Sequence, residues 1–479
     1  MRIHHHPLLH FDRDHPIHFY YNGRKIQAYE GETIAAALHA EHITTLSHSS
    51  RHARPRGFFC GIGKCSSCLM KVDGIPNVRT CITKVRDGMV VEDNDMEPPD
   101  KEYPSCTFEH IDCDIAVVGG GPAGMSAAIE ASSHAKVVLI DENHRLGGQL
   151  IKQTHKFFGS KRQRAGTRGI EIAHELAEEV KERCTVLLNT AVLGYYDRGY
   201  HFLSAANKME SIVYEIRAKK IIFATGAQEN MLVFEGNDLP GVYGAGGVQT
   251  LMNVYGIKPG DTGVIVGAGN VGLIVSYQLM QAGVNVACVV EAMPVIGGYF
   301  VHAAKIRRLG IPILTRHTIK EAYGNGRVEG AVIAQLDENW CIVEGSEQDI
   351  PCDFICLAVG LTPTIRLVAQ TGATITFVNE AGGWVSLHNE NMETTRGGIY
   401  VAGDLANIEE ASTAMIEGRI AGLHAANSMK PVDGFEQRMA SLRDELAMFR
   451  KGYFGERPHR AKEKIYEGYY ETMGTGRSD

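Results

Sequence analysis

A glycine pattern that occurs twice most constrains how this chain can fold. The stretch DIAVVGGGPAGMSAAIEAS carries Gly119, Gly121 and Gly124 in G-x-G-x-x-G spacing, with Pro122 and Ala123 between the last two. A buried-strand pattern precedes it and a helical one follows. The first glycine permits the turn, the second lets backbone approach a pyrophosphate, and the third allows close helix–strand contact. The helix N-terminus then turns its positive dipole end towards that diphosphate. The next strand, KVVLI, ends in Asp141-Glu142, where a carboxylate would hold ribose hydroxyls. Either acid suits: Asp141 closes the apolar run, while Glu142 better matches the distance to Gly147-Gly148, which Gln149 follows.

The second copy, DTGVIVGAGNVGLIVSYQLMQAGVNVACVVE, places Gly267, Gly269, Asn270, Val271 and Gly272 after a strand, with Glu291 closing the next. A carboxylate there accepts from a ribose 2′-hydroxyl and repels a 2′-phosphate, and no arginine immediately follows it, so NAD(H) is favoured over NADP(H). The competing reading is a relic fold, or one holding another adenine nucleotide. Three more segments have strands ending in small residues: KKIIFATGAQE with Thr225 and Gly226, DFICLAVGLTP with Gly360, and GGIYVAGDLANIEEAS with Gly403-Asp404.

Ahead of both copies lies RPRGFFCGIGKCSSCLMKVDGIPNVRTC, which spaces Cys60, Cys65, Cys68 and Cys81 as C-x4-C-x2-C-x12-C. The first three match the plant-type spacing for a [2Fe–2S] centre. Gly61 and Gly63 let the loop bend around two irons, and Arg54, Arg56 and Lys64 offset cluster charge. Zinc is the alternative, but it usually takes paired C-x2-C units. A hairpin at Asn22-Gly23, a helix IAAALHA capped by Thr33 and a second hairpin at Asp73-Gly74 make the surroundings β-grasp-like. The other seven of eleven cysteines are scattered and read as buried thiols, because nothing in the sequence signals export.

Taken together, the ordered segments resemble the two-dinucleotide-binding-domain flavoproteins, the family that contains thioredoxin reductase, over about residues 113 to 428. That resemblance implies FAD on Gly119, Gly121, Pro122, Ala123, Gly124, Asp141, Glu142, Gly148, Gln149, Thr225, Gly226, Gly403 and Asp404. It implies NAD(H) on the inserted fold, at Gly267, Gly269, Asn270, Val271, Gly272, Glu291 and Gly360. The expected fold is α/β, with two nested Rossmann-like domains behind a β-grasp ferredoxin-like domain. The expected boundaries are 14–97 for the cluster domain, 98–112 for a linker and 113–240 for the first FAD part. They continue with 241–355 for the NAD(H) insertion, 356–430 for the second FAD part and 431–479 for a helical tail. The cysteines outside the loop have no C-x2-C or C-x4-C spacing, so disulfide reduction is not expected.

A cluster domain fused ahead of this flavoprotein pattern is similar to the α subunits of heteromeric sarcosine oxidase, opine and proline dehydrogenases and cyanide-forming glycine dehydrogenases. The resemblance implies an electron-transfer role beside an FAD- or FMN-containing β subunit, with a small ferredoxin-like subunit as an optional third component. Folate chemistry is not expected, and no substrate-site arrangement is recognisable, so catalytic residues stay unassigned. A stand-alone NADH-dependent reductase passing electrons to a ferredoxin, quinone or organic acceptor is the second hypothesis; a redox-reporting structural subunit is the third. A net charge of -8 gives no reason to expect nucleic acid as a partner, and no apolar run suggests a signal peptide or membrane span, so a cytoplasmic location is expected. His4-His5-His6 reads as part of a flexible terminal tail, and Phe435, Met439, Leu442, Leu446 and Phe449 as one face of a surface helix or docking element.

Overall fold

The structure, a computed structural model, describes residues 1–94, 105–157, 159–207 and 209–474. Its contacts divide the chain into two discontinuous units: Met1–Glu102 with Glu229–Gly360, and Tyr103–Gln228 with Leu361–Asp479.

The first unit begins with a five-stranded mixed sheet. In spatial order its strands are Arg24–Tyr29, Pro16–Tyr21, Val90–Glu92, Leu69–Val72 and Ile75–Arg79. The two expected hairpins form, with Tyr21 opposite Arg24 and Val72 opposite Ile75. Asn22 and Gly23 both take positive φ, as a two-residue turn matched to sheet twist requires. Helix Ile34–Ala40 buries all seven residues, which its small alanines permit by letting backbone approach on every side. Thr33 stands at the N-cap, but its side chain makes no capping bond.

The N-terminus is not a loose tail. Ile3 is buried, the terminal amine donates to Ala40 O at 2.8 Å, and Arg2 pairs with Glu32 and Glu41. An apolar residue beside a half-buried, ion-paired arginine anchors the segment, and the histidine run concealed that signal. The same unit continues with a five-stranded parallel sheet, ordered Val242–Gly244, Phe354–Leu357, Thr262–Val266, Asn285–Glu291 and Ile313–Thr315. Residues Ile34–Ala40 share one apolar cluster with Tyr243, Val248, Leu251, Ile265 and Leu273 of this fold. The cluster-loop domain and the second nucleotide fold thus have a common core.

The second unit is built on strands Thr107–Val118 and Ile212–Phe223, parallel and in register from Thr107–Ile212 to Val118–Phe223. Residues 107–112, expected in a linker, are therefore strand. Ladder pairing satisfies their backbone groups although their outer side chains are exposed, so no apolar period marked them. Positions 98–104 of the expected linker lie outside the described residues. Helices Pro122–Ser132 and Ala411–Asn427 pack backbone to backbone: a Cβ on Gly418 would stand 2.0 Å from Ala123 O, and one on Gly422 2.4 Å from Ala127 O.

Two tail helices close this unit, Phe435–Phe449 and Glu456–Met473. On the first, Met439, Leu442 and Leu446 are buried in the main core, with Phe435 and Phe449 partly covered. The second also lies within the tail expected to be helical, but sequence reasoning assigned no apolar face to it. Its Ala461, Ile465, Tyr466 and Tyr469 bury against Val378, Val385 and Leu387.

Candidate cofactor sites

In the cysteine loop, Cys60, Cys68 and Cys81 are buried and Cys65 is exposed. Their thiols form one hydrogen-bonded chain: Cys60 contacts Cys65 and Cys81, and Cys81 contacts Cys68. Hydrogen bonds from Cys65 to Cys60 and from Cys81 to Cys68 pull the Cys60 and Cys68 thiols below their ordinary value, and the same bonds hold the donors Cys65 and Cys81 well above it. Ile62 N–H points at Cys60 Sγ at 3.5 Å. The loop is fixed from behind, where Gly244 N–H donates to Phe59 O at 3.2 Å and a Cβ on Gly247 would stand 2.0 Å from that oxygen. Arg54 and Arg56 lie 3.6 and 3.8 Å from Asp238, so their charge is partly balanced before it reaches the sulfurs.

The first fingerprint is a turn whose crowding is unequal. Gly119 has φ +110°, and a Cβ there would meet Ala224 O at 2.3 Å; on Gly124 it would meet Gly119 O at 1.8 Å. On Gly121, at the N-cap of the helix that Pro122 opens and Ala123 continues, the only neighbour within 4 Å would be Gly148 Cα at 3.9 Å. The middle glycine alone faces open space, where a diphosphate needs room. Asp141 is buried and accepts from Gly120 N at 2.6 Å and Asn143 N at 2.7 Å; burial pushes its carboxyl up. Glu142 is half-buried, and Gln149 is exposed at the short helix Gly148–Lys152. Thr225 and Gly226 are stitched to Thr364, whose hydroxyl donates to Gly226 O at 2.8 Å.

The second fingerprint repeats this construction. A Cβ on Gly267 would meet Ala358 O at 2.4 Å and one on Gly272 would meet Gly267 O at 2.0 Å, whereas Gly269 has nothing within 4 Å. Glu291 accepts from Ala268 N at 2.7 Å and from Met293 N at 2.9 Å, which places it where Asp141 stands in the first copy. Val271 is exposed, Asn270 Oδ1 accepts from Tyr299 N at 2.7 Å, and Gly360 O accepts from Asn230 N at 3.1 Å. Gly298 N–H donates to Ala268 O at 2.9 Å, just as Gly147 N–H donates to Gly120 O at 2.8 Å. Sequence reasoning missed Gly297-Gly298, although a signal was present: IGGY after Glu291 repeats LGGQ after Asp141.

Gly403 and Asp404 follow strand Ile399–Val401, and a Cβ on Gly403 would stand 2.8 Å from Ala123 Cβ, so this turn reaches the first fingerprint. Burial pushes the Asp404 carboxyl up to about 7, and it accepts from Glu409 N at 3.4 Å. Asn407 Oδ1 is buried without a hydrogen-bond partner. Gly403 N–H donates to Glu417 Oε2 at 3.0 Å. Glu417 was missed by sequence reasoning, as were Arg450 and Lys462, which lie 2.5 and 2.7 Å from its other oxygen.

Residues 113–418 match the family described as pyridine nucleotide-disulphide oxidoreductase. The chain belongs to that family. Residues 14–96 match the 2Fe-2S iron-sulfur cluster binding domain. The cofactors that go with these two matches are FAD, NAD(H) and a [2Fe–2S] cluster. The α subunit of sarcosine oxidase from Corynebacterium sp. (strain P-1) is 26% identical over 90% of this chain and 45% of its own length. An opine oxidase subunit of Agrobacterium tumefaciens (strain Ach5) is 28% identical over 67% of this chain and 66% of its own length. The crystal structure of L-proline dehydrogenase from P. horikoshii superposes with a TM-score of 0.70 at 26% identity, covering 92% of this chain and 79% of that one. The chain spans under half the length of the sarcosine oxidase α subunits it matches.

The residues present fit these groups. Cys60, Cys65, Cys68 and Cys81 lie together as one linked set of four thiols, the number that a [2Fe–2S] centre takes. Gly121 and Gly269 leave open cradles at helix N-termini. Asp404 and the orphaned Asn407 Oδ1 are acceptors suited to the hydroxyls of a ribityl chain.

Proposed function

We propose that this chain is the electron-transfer subunit of a complex that dehydrogenates or oxidises an amine or amino acid, such as sarcosine, proline or an opine. The carrying observation is the presence in one chain of a four-thiol loop and two dinucleotide cradles. FAD accepts two electrons together and releases them singly, whereas a [2Fe–2S] centre carries one. The residues assigned to FAD are Gly119, Gly121, Pro122, Ala123, Gly124, Gly148, Gln149, Thr225, Gly226, Gly403 and Asp404, with Asp141 or Glu142 as the ribose acid. Those assigned to NAD(H) are Gly267, Gly269, Asn270, Val271, Gly272, Glu291 and Gly360; the irons go to Cys60, Cys65, Cys68 and Cys81. Each cradle presents helix-terminal N–H groups to a diphosphate, and each acid fixes the turn that holds it.

Thiol chemistry on a disulfide substrate is disfavoured. Cys288 and Cys352 are buried, and burial raises their thiols to about 11 and about 12, far from a usable thiolate. The partner in this reading is a flavin-bearing β subunit on which the amine is oxidised, and a small ferredoxin-like subunit would serve as a further carrier. No helix among the described residues is long and apolar enough to cross a membrane, which is compatible with a cytoplasmic complex. The test is to add amine to the isolated chain and to the chain co-expressed with a candidate flavin-bearing β subunit, following cluster reduction by EPR. Reduction only in the complex is expected; amine oxidation by the isolated chain at the full rate of the complex would overturn the proposal.

The open cradle at Gly269 and the acid at Glu291 favour a second reading, a stand-alone NADH-dependent reductase. Rapid flavin bleaching by NADH, with turnover and no partner, would select it.

A further inference from the structure

Four ionic side chains are buried together behind the Gly403–Asp404 turn, and two come from the tail. Glu409 and Glu417 face Arg450 and Lys462, with side-chain exposures of 2 to 8%. Burying four charges is costly even when they pair, and apolar side chains of similar volume often serve stability as well or better. The network is therefore better explained by what it holds in place.

What it holds is the turn. Glu417 Oε2 takes the Gly403 amide, while Oε1 receives Arg450 Nη2 at 2.5 Å and Lys462 Nζ at 2.7 Å. Arg450 also grips Glu409 through Nη2 at 2.7 Å and Nε at 3.1 Å. Glu409 in turn accepts from Asn407 Nδ2 at 2.7 Å and gives its N–H to Asp404. Lys462 is oriented by His388, whose Nδ1 lies 2.8 Å from Ser386 O and whose Nε2 lies 2.9 Å from the ammonium. The turn is thus tied at Gly403, Asp404 and Asn407 to residues 450–462, beyond the matched family segment, which ends at 418.

We propose that Arg450 and Lys462 are positioning residues for the flavin: through Glu417 and Glu409 they fix the Gly403 amide and the Asp404 carboxylate where the ribityl–phosphate portion of FAD binds. The inference rests on the assignment of that turn to FAD. Each cation acts through a glutamate, Arg450 through Glu409 and Glu417 and Lys462 through Glu417.

The test uses the full chain with its cluster. Arg450→Met and Lys462→Met should raise the FAD dissociation constant at least tenfold and shift the midpoint potential of the flavin that remains bound. Arg450→Lys, which keeps the charge, should restore part of the affinity. Because a single unpaired ion can prevent folding, the double variant Glu417→Gln with Lys462→Met removes one charge of each sign at nearly constant volume. It should fold, keep its cluster and still bind FAD weakly. Folded variants with wild-type FAD affinity and potential would overturn the proposal. A wild-type chain that carries its cluster but never FAD would instead sink the FAD assignment itself.

Discussion

A β-carbon on Gly124 would stand 1.8 Å from the carbonyl oxygen of Gly119, and the second fold repeats the relation between Gly272 and Gly267 at 2.0 Å. In each copy the outer two glycines are demanded by the protein's own backbone, whereas the middle one is demanded only by what binds there.

Stability and binding should therefore separate along each fingerprint. Gly124→Ala and Gly272→Ala should lower stability by about 1–3 kcal/mol through overpacking. Gly269→Ala should unfold at the wild-type denaturant midpoint while losing about tenfold in NADH affinity, roughly 1.4 kcal/mol of binding. Wild-type NADH binding by Gly269→Ala would show that the second cradle does not hold a dinucleotide.

Glu291 has a structural duty beside its proposed ribose contact, because it accepts from the Ala268 and Met293 amides. Glu291→Ala leaves two donors without their acceptor and should cost about 1–3 kcal/mol as well as NADH affinity. Glu291→Gln can keep one of those bonds, so its loss should fall mainly on NADH binding. Titration of both variants with NADH beside a denaturation curve separates the two effects.

Much of this arrangement was legible in the sequence, because the glycine spacings and the thiol spacing are local requirements of turns. The acids closing the following strands were also readable, though the choice between Asp141 and Glu142 was not: it depends on which carboxylate the turn amides reach, a tertiary fact. The tail was the blind spot. Arg450 and Lys462 lie among charged residues at helical spacing, a pattern that ordinarily means a solvated face. Only the fold reveals that they point inward, onto a glutamate more than thirty residues away in sequence.

Cysteine reactivity should report the loop. Of the eleven thiols, Cys65, Cys106 and Cys341 are exposed. A chain carrying its cluster should give two fast-reacting thiols with an aromatic disulfide reagent, Cys106 and Cys341. Removing the iron should add Cys65 as a third, slower thiol, because its hydrogen bond to Cys60 and the desolvation of its thiol hold it above the ordinary value. A count unchanged by iron removal would exclude Cys65 as a ligand.

Asp404 should leave a signature in the pH dependence of the flavin-free protein. Its carboxyl is raised from 3.8 to about 7, so the stability it contributes is complete below pH 4 and is lost as pH rises through 7. Asp404→Asn removes that slope. Relative to wild type, the variant should gain about 2–4 kcal/mol between pH 4 and pH 8, as a shift of this size requires. Parallel denaturation curves at both pH values would refute the burial of this acid.

The apolar cluster that joins helix Ile34–Ala40 to Tyr243, Val248 and Leu273 decides where this protein can be cut. A fragment ending near residue 97 would expose one side of a fully buried alanine helix to water and should aggregate. The transplantable module is discontinuous: 1–94 travels with 229–360. A chimera that borrows the iron–sulfur function for another enzyme must import the second nucleotide fold as its scaffold.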